Sequence, residues 1–98
     1  MEKASIILQQ LGGSRFIAMT GAKNILAQDD GLSFKLPSSF AKDGINYVRI
    51  RLNGMDLYDI EYGKIQKMKY KPLYETNGIY ADMLQDDFTG TTGLFTRL

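Results

Sequence analysis

The residues best equipped for chemistry are the lysines Lys64, Lys67, Lys69 and Lys71, interleaved with Tyr70 and followed by Tyr74. Lysines neutralise backbone phosphates and tyrosines stack on bases, so this grouping has the makings of a nucleic-acid contact, single-stranded above all. The same stripe suits a solvated edge strand, where lysines deter unwanted strand pairing. Tyr47, Arg49 and Arg51 could enlarge the basic surface, but Asp59 and Glu61 stand nearby and blunt its field. A second charged group, Asp82, Asp86 and Asp87, could offer an acidic patch to a basic partner.

Other chemistries fall away by residue type. The chain has no cysteine and no histidine, which removes disulfides, thiolate nucleophiles, zinc sites and histidine-based acid–base catalysis. Asp29-Asp30 and Asp86-Asp87 lack the converging oxygens a hard cation needs, so they read as a turn and a solvated helix face. The glycine-rich GGSR (Gly12–Arg15) and TGAK (Thr20–Lys23) miss the Gly-x4-Gly-Lys-[Ser/Thr] phosphate loop and read as a cap and a bulge. No catalytic residue, cofactor or metal is expected, and the protein reads as a non-enzyme. A net charge of +1 excludes a strongly basic nucleic-acid coat and an acidic DNA mimic.

The elements that position these residues follow from periodicity. From Asn46 to Gly63 two strands fold back at Asn53-Gly54, with Val48 and Ile50 alternating against Arg49 and Arg51. A two-residue Asn-Gly turn would place Asp59 on the buried face. That costs several kcal/mol, against about 1 kcal/mol for turn preference. An odd loop, with Gly54 at a bulge, is therefore expected. It sets Val48, Ile50, Tyr58 and Ile60 on the core face, and Arg49, Arg51, Asp59 and Glu61 on the other.

Earlier in the chain, Ala4, Ile7, Leu8 and Leu11 form a helical stripe over Glu2–Leu11, stopped by Gly12-Gly13. Arg15–Leu26 reads as a strand broken at Gly21, the first half of a hairpin over residues 16–36 that Pro37 ends. Ser38–Ile45 reads as a loop with one helical turn near Ser39–Lys42. Lys64–Tyr74 extends the fourth strand or forms an edge. Asn77 is the expected cap of a helix over Gly78–Phe88, burying Tyr80, Met83, Leu84 and Phe88, while TGTTG beyond it has poor helix propensity. Leu94, Phe95 and Leu98 should pack back on the core. The expected fold is one α+β domain over residues 1–98, a four-stranded antiparallel sheet of two hairpins with an N-terminal and a C-terminal helix on one face. There is no 18-residue apolar run, and the N-terminal IIL patch is too short for a signal peptide, so no membrane association is expected.

The stretches LGGSRFIAMTGAKN (Leu11–Asn24) and GIYADMLQDDFTGTTGLFTRL (Gly78–Leu98) resemble a group of short uncharacterised bacteriophage and prophage proteins. The resemblance implies an accessory protein made in a bacterial host cytoplasm and carries no functional residues with it. In topology alone, four antiparallel strands and a helix are similar to the Whirly and coactivator single-stranded-DNA-binding folds. The first expectation for function is a non-enzymatic binding protein that engages a host protein as an inhibitor of a bacterial defence system, anti-CRISPR-like. The alternative is a single-stranded nucleic-acid-binding protein using residues 64–71 and the exposed sheet face. A homodimer through the edge strand is expected with either.

Overall fold

The computed structural model describes residues 2–37 and 41–96. The order is α1 (Glu2–Leu11), α2 (Ser14–Thr20), β1 (Lys23–Gln28), β2 (Gly31–Lys35), β3 (Tyr47–Leu52), β4 (Tyr58–Gln66), β5 (Lys69–Ile79) and α3 (Leu84–Thr92). Short 3-10 turns at Lys42–Gly44 and Ala81–Met83 precede β3 and α3. The strands form one antiparallel meander in the order β1-β2-β3-β4-β5. The chain is thus α+β, and among the described residues it has five strands rather than four and three helices rather than two. No helix among the described residues is long and apolar enough to cross a membrane.

The central hairpin follows the parity argument. Leu52 pairs with Tyr58, Ile50 with Ile60, Arg51 with Asp59 and Arg49 with Glu61, which leaves an odd loop from Asn53 to Leu57. Val48, Ile50, Tyr58 and Ile60 are all buried. Gly54 does not make the expected bulge. Asp56 takes the left-handed conformation instead (φ 61°), and the Asn53 side-chain oxygen accepts the amides of Met55 (2.8 Å) and Leu57 (3.2 Å). A side-chain cap has replaced a backbone device.

Two segments differ from the periodicity reading. Residues 14–20 form a helix where a strand was expected, and β1 starts only at Lys23. Phe16 and Thr20, four apart, both face the core, and the Thr20 hydroxyl donates to the Phe16 carbonyl (2.7 Å). Gly21 is the left-handed C-cap of this helix (φ 72°), not a strand bulge. At the other end, Asn77 caps nothing. β5 runs on through Gly78 to Ile79, because the Asp59 carboxylate accepts the Gly78 amide (3.0 Å). The helix begins later and continues through Thr92, so Tyr80 and Met83 stay 64% and 53% exposed while Leu84 and Phe88 are buried. The helical turn expected near Ser39 falls partly outside the described residues; the observed turn is Lys42–Gly44. Leu94 packs on the core, Phe95 is 67% exposed, and Leu98 lies outside the described residues.

The helices cover one sheet face. Phe16 stands edge-on to both Phe34 and Phe88, with ring centroids 5.3 Å apart in each pair. Ile7, Leu11 and Leu84 close the same core over Leu32, Val48, Ile50 and Ile60. Tyr62 is buried there too, its hydroxyl donating to Asp87 Oδ2 at 2.7 Å. Burial, and then the Asp87 carboxylate, push the Tyr62 phenol well above its ordinary value of 10.0. A raised folded-state pKa leaves stability untouched below pH 10 and removes it as pH climbs further, because only the unfolded chain then ionises. Urea titrations at pH 8, 10 and 11 should show stability falling above pH 10. The share from Tyr62 is about 1.4 kcal/mol per pH unit, and Tyr62→Phe should remove that share of the slope. An unchanged slope in that variant would refute the assignment.

Candidate functional site

The open sheet face is a grid set by strand register. One row runs Lys35, Tyr47, Gly63 and Pro72; the next runs Ser33, Arg49, Glu61 and Glu75. Arg49 Nε donates to Gln28 Oε1 (3.0 Å) and the Arg49 guanidinium lies 4.0 Å from Asp30. Arg51 lies 4.0 Å from Glu75. Asp59 accepts from the Asn53 side-chain amide (3.1 Å) as well as from Gly78. Such exposed pairs add less than about 1 kcal/mol each, and they set a carboxylate beside each guanidinium, which weakens its pull on a phosphate.

Tyr47 and Tyr70 come together on this face, rings edge-to-face at 5.3 Å. Gly63 makes this fit, since a Cβ there would collide with the Tyr70 ring. The Tyr70 hydroxyl donates to Glu61, and partial burial, followed by that carboxylate, raises the Tyr70 phenol above its ordinary value. Tyr74 points to the opposite face and donates to Asp43 beside the 3-10 turn.

The four lysines are brought together on a projecting β4–β5 arm. Beyond Gly63, β4 continues as Lys64, Ile65 and Gln66, turns at Lys67-Met68, and returns as Lys69, Tyr70 and Lys71. Lys64 pairs with Lys71 and Gln66 with Lys69, so these side chains share one face of the ribbon, with Ile65 and Tyr70 on the other. A cleft of about 510 Å³ lies among Lys64, Gln66, Lys67, Lys69, Tyr70 and Lys71. Among the described residues, no carboxylate lies within ion-pair distance of these lysines. Asn46 clamps the arm at its root: its side-chain amide donates to the Ile65 carbonyl (3.0 Å) and accepts the Ile65 amide (2.7 Å).

The acidic residues differ in their surroundings. Asp87 is engaged by Tyr62, and Asp86 and Asp87 sit in the first turn of α3, where negative charge complements the helix dipole. Asp82 is exposed in the preceding 3-10 turn. Asp29 and Asp30 form the β1–β2 turn, and no cluster of acidic side chains among the described residues could hold a metal ion. The site residue that periodicity missed is Met68, 99% exposed at the arm's tip. Its turn carries neither glycine nor asparagine and so gives no turn signal.

Comparison with protein-family models, curated proteins and solved structures finds no match for this chain.

Proposed function

We propose that this chain is a non-enzymatic nucleic-acid-binding protein whose contact element is the β4–β5 arm. One observation carries the reading: the arm concentrates lysines without carboxylate partners, although this lowers its own stability. Lys64 stands directly opposite Lys71, a like-charge pair that destabilises a ladder. Glu61 likewise faces Glu75, but there each carboxylate has a donor, Tyr70 or Arg51. Edge protection explains lysines on the outer strand β5. It extends to Lys64 too, because β4 has no β3 partner beyond Gly63, but it does not call for Lys64 to stand opposite Lys71. A sequence that breaks a local rule without compensation marks a functional surface.

Fluorescence anisotropy with labelled single-stranded and duplex DNA, between 50 and 200 mM salt, tests this. Engaging the four arm lysines should give a log–log salt slope of about −3 to −4. Lys64→Ala/Lys67→Ala/Lys69→Ala/Lys71→Ala should abolish binding, while Lys3→Ala on α1 should not. The absence of binding at 50 mM salt would refute the reading.

A second reading is a host-protein partner, with the chain acting as an inhibitor of a bacterial defence system. It is favoured by the internally paired mixed charge of Arg49, Arg51, Glu61 and Glu75, which suits a specific protein contact better than a phosphate track. The resemblance to phage proteins supports a bacterial cytoplasm as the place of action. A complex from host lysate that survives high salt, and is broken by Arg49→Glu/Arg51→Glu but not by the arm variant, would favour this reading instead.

A further inference from the structure

The arm's tip combines features that neutralising phosphates does not require. Lys67 and Met68 both occupy left-handed backbone (φ 52° and 64°), which side-chain-bearing residues rarely adopt and which a two-residue hairpin turn normally assigns to Asn-Gly. Met68 is 99% exposed, with lysines on either side of it in sequence. An unbranched apolar side chain held out at the end of a basic two-stranded ribbon has no partner within the fold. The ribbon is also braced: Asn46 pins Ile65, and Tyr70 is held by Glu61 and by the ring of Tyr47. A pre-braced arm loses little freedom on binding, so contact at its tip is not spent on ordering it.

We propose that the arm enters a groove of double-stranded DNA and that Met68 wedges between adjacent base pairs, partly unstacking them. This rests on the nucleic-acid reading above and narrows it from nucleic acid in general to a deformed duplex. Two-stranded ribbons enter the grooves of B-form DNA, the minor groove included. Apolar wedges, methionine among them, open base steps in that setting. Lys67 and Lys69, flanking the wedge, reach the phosphates on either side of the opened step. The duplex, rather than an anionic lipid surface, is favoured because Met68 stands alone at the tip: the other apolar side chains of the arm, Ile65 and the 41% exposed Tyr70, lie on one face nearer its root, and the opposite face carries lysines and a glutamine. Surface-inserting segments bury a broader apolar face. Flexible pyrimidine–purine steps and mismatches, where unstacking costs least, should be preferred.

The test uses a duplex of roughly 20–30 base pairs, long enough to report a bend, carrying 2-aminopurine at a central TA step and donor and acceptor dyes at its ends. Wild-type protein should raise the 2-aminopurine emission and the end-to-end transfer. Met68→Ala should lose both signals and bind the intact duplex roughly tenfold more weakly, with the salt slope unchanged because every lysine remains. Its deficit should shrink on a duplex with a central mismatch. Lys67→Asn/Met68→Gly gives the turn residues it prefers, so it keeps the fold and should lose the same signals. If wild type binds duplex with no emission change, or Met68→Ala retains the change, the wedge is overturned while nucleic-acid binding stands. Binding confined to single strands overturns it in the same way. Binding to no nucleic acid overturns both. Met68-dependent binding to phosphatidylserine vesicles without binding to any nucleic acid assigns the tip to membranes and overturns both.

Discussion

Phe16→Ala should cost about 3–5 kcal/mol, the range for truncating a buried phenylalanine. The ring is fully buried and touches Phe34 and Phe88 edge-on, two contacts that add to its buried area. It is also the main anchor of α2, a seven-residue helix too short to persist without docking. Alanine therefore leaves a cavity between α2, β2 and α3 and loosens the helix that would have to fill it. For a domain of 98 residues the whole stability is on the order of 5–15 kcal/mol. The variant should melt roughly 15–30 °C lower. Phe95→Ala supplies the contrast. That ring is 67% exposed, so its removal should change stability by less than about 0.5 kcal/mol. Thermal melts followed by circular dichroism decide the matter, and a Phe16→Ala shift no larger than that of Phe95→Ala would show the core is misplaced.

That Phe16 belongs to a helix could not be read from the local pattern, for a definable reason. In Arg15–Thr20 apolar side chains occupy both parities, so periods of 2 and of 3.6 fit equally well. A β-branched Ile17 beside Phe16 tips propensity toward strand, and propensity is a weak prior that packing overrides. The pair Phe16 and Thr20, followed by Gly21, carries a helix-and-cap signal that outweighs it only once the core is known. The central hairpin was legible because one wrong register would have buried Asp59, a penalty larger than any turn preference. β5 was legible as an edge with lysines but not in its length. What holds Asn77-Gly78 in the strand is the carboxylate of Asp59 from the neighbouring strand, which no local window contains. The same distinction runs through the candidate site. The lysines announce themselves by type. The ties that set the arginines apart from them, Arg49 to Asp30 and Arg51 to Glu75, join residues distant in sequence.

Gly31→Ala should be comparably severe, by a different mechanism. Asp29-Asp30-Gly31 looks like a turn needing glycine's left-handed freedom, yet Gly31 has no positive φ and already belongs to β2. What it requires is space. A Cβ there would lie 2.9 Å from the Ile50 carbonyl carbon, 3.0 Å from Arg51 Cα, and closer still to the Ile50 carbonyl oxygen. These are backbone atoms of the adjacent strand, so no rotamer change can relieve the overlap. β2 and β3 must part at the end where Leu52 donates to the Asp30 carbonyl at 2.7 Å, and Leu32 opposite Ile50 moves with them. Overpacking that side chains can absorb costs about 1–3 kcal/mol. With backbone on both sides the upper end, about 3 kcal/mol or more, is expected. Gly54→Ala is the control, since Gly54 also lacks a positive φ and a Cβ there meets nothing within 4 Å. That variant should lie within about 0.5 kcal/mol of the parent. Urea midpoints measured side by side separate the two roles. A mild Gly31→Ala would mean the glycine serves the turn and the β2–β3 register can slide, and the grid on the open face would then have to be redrawn.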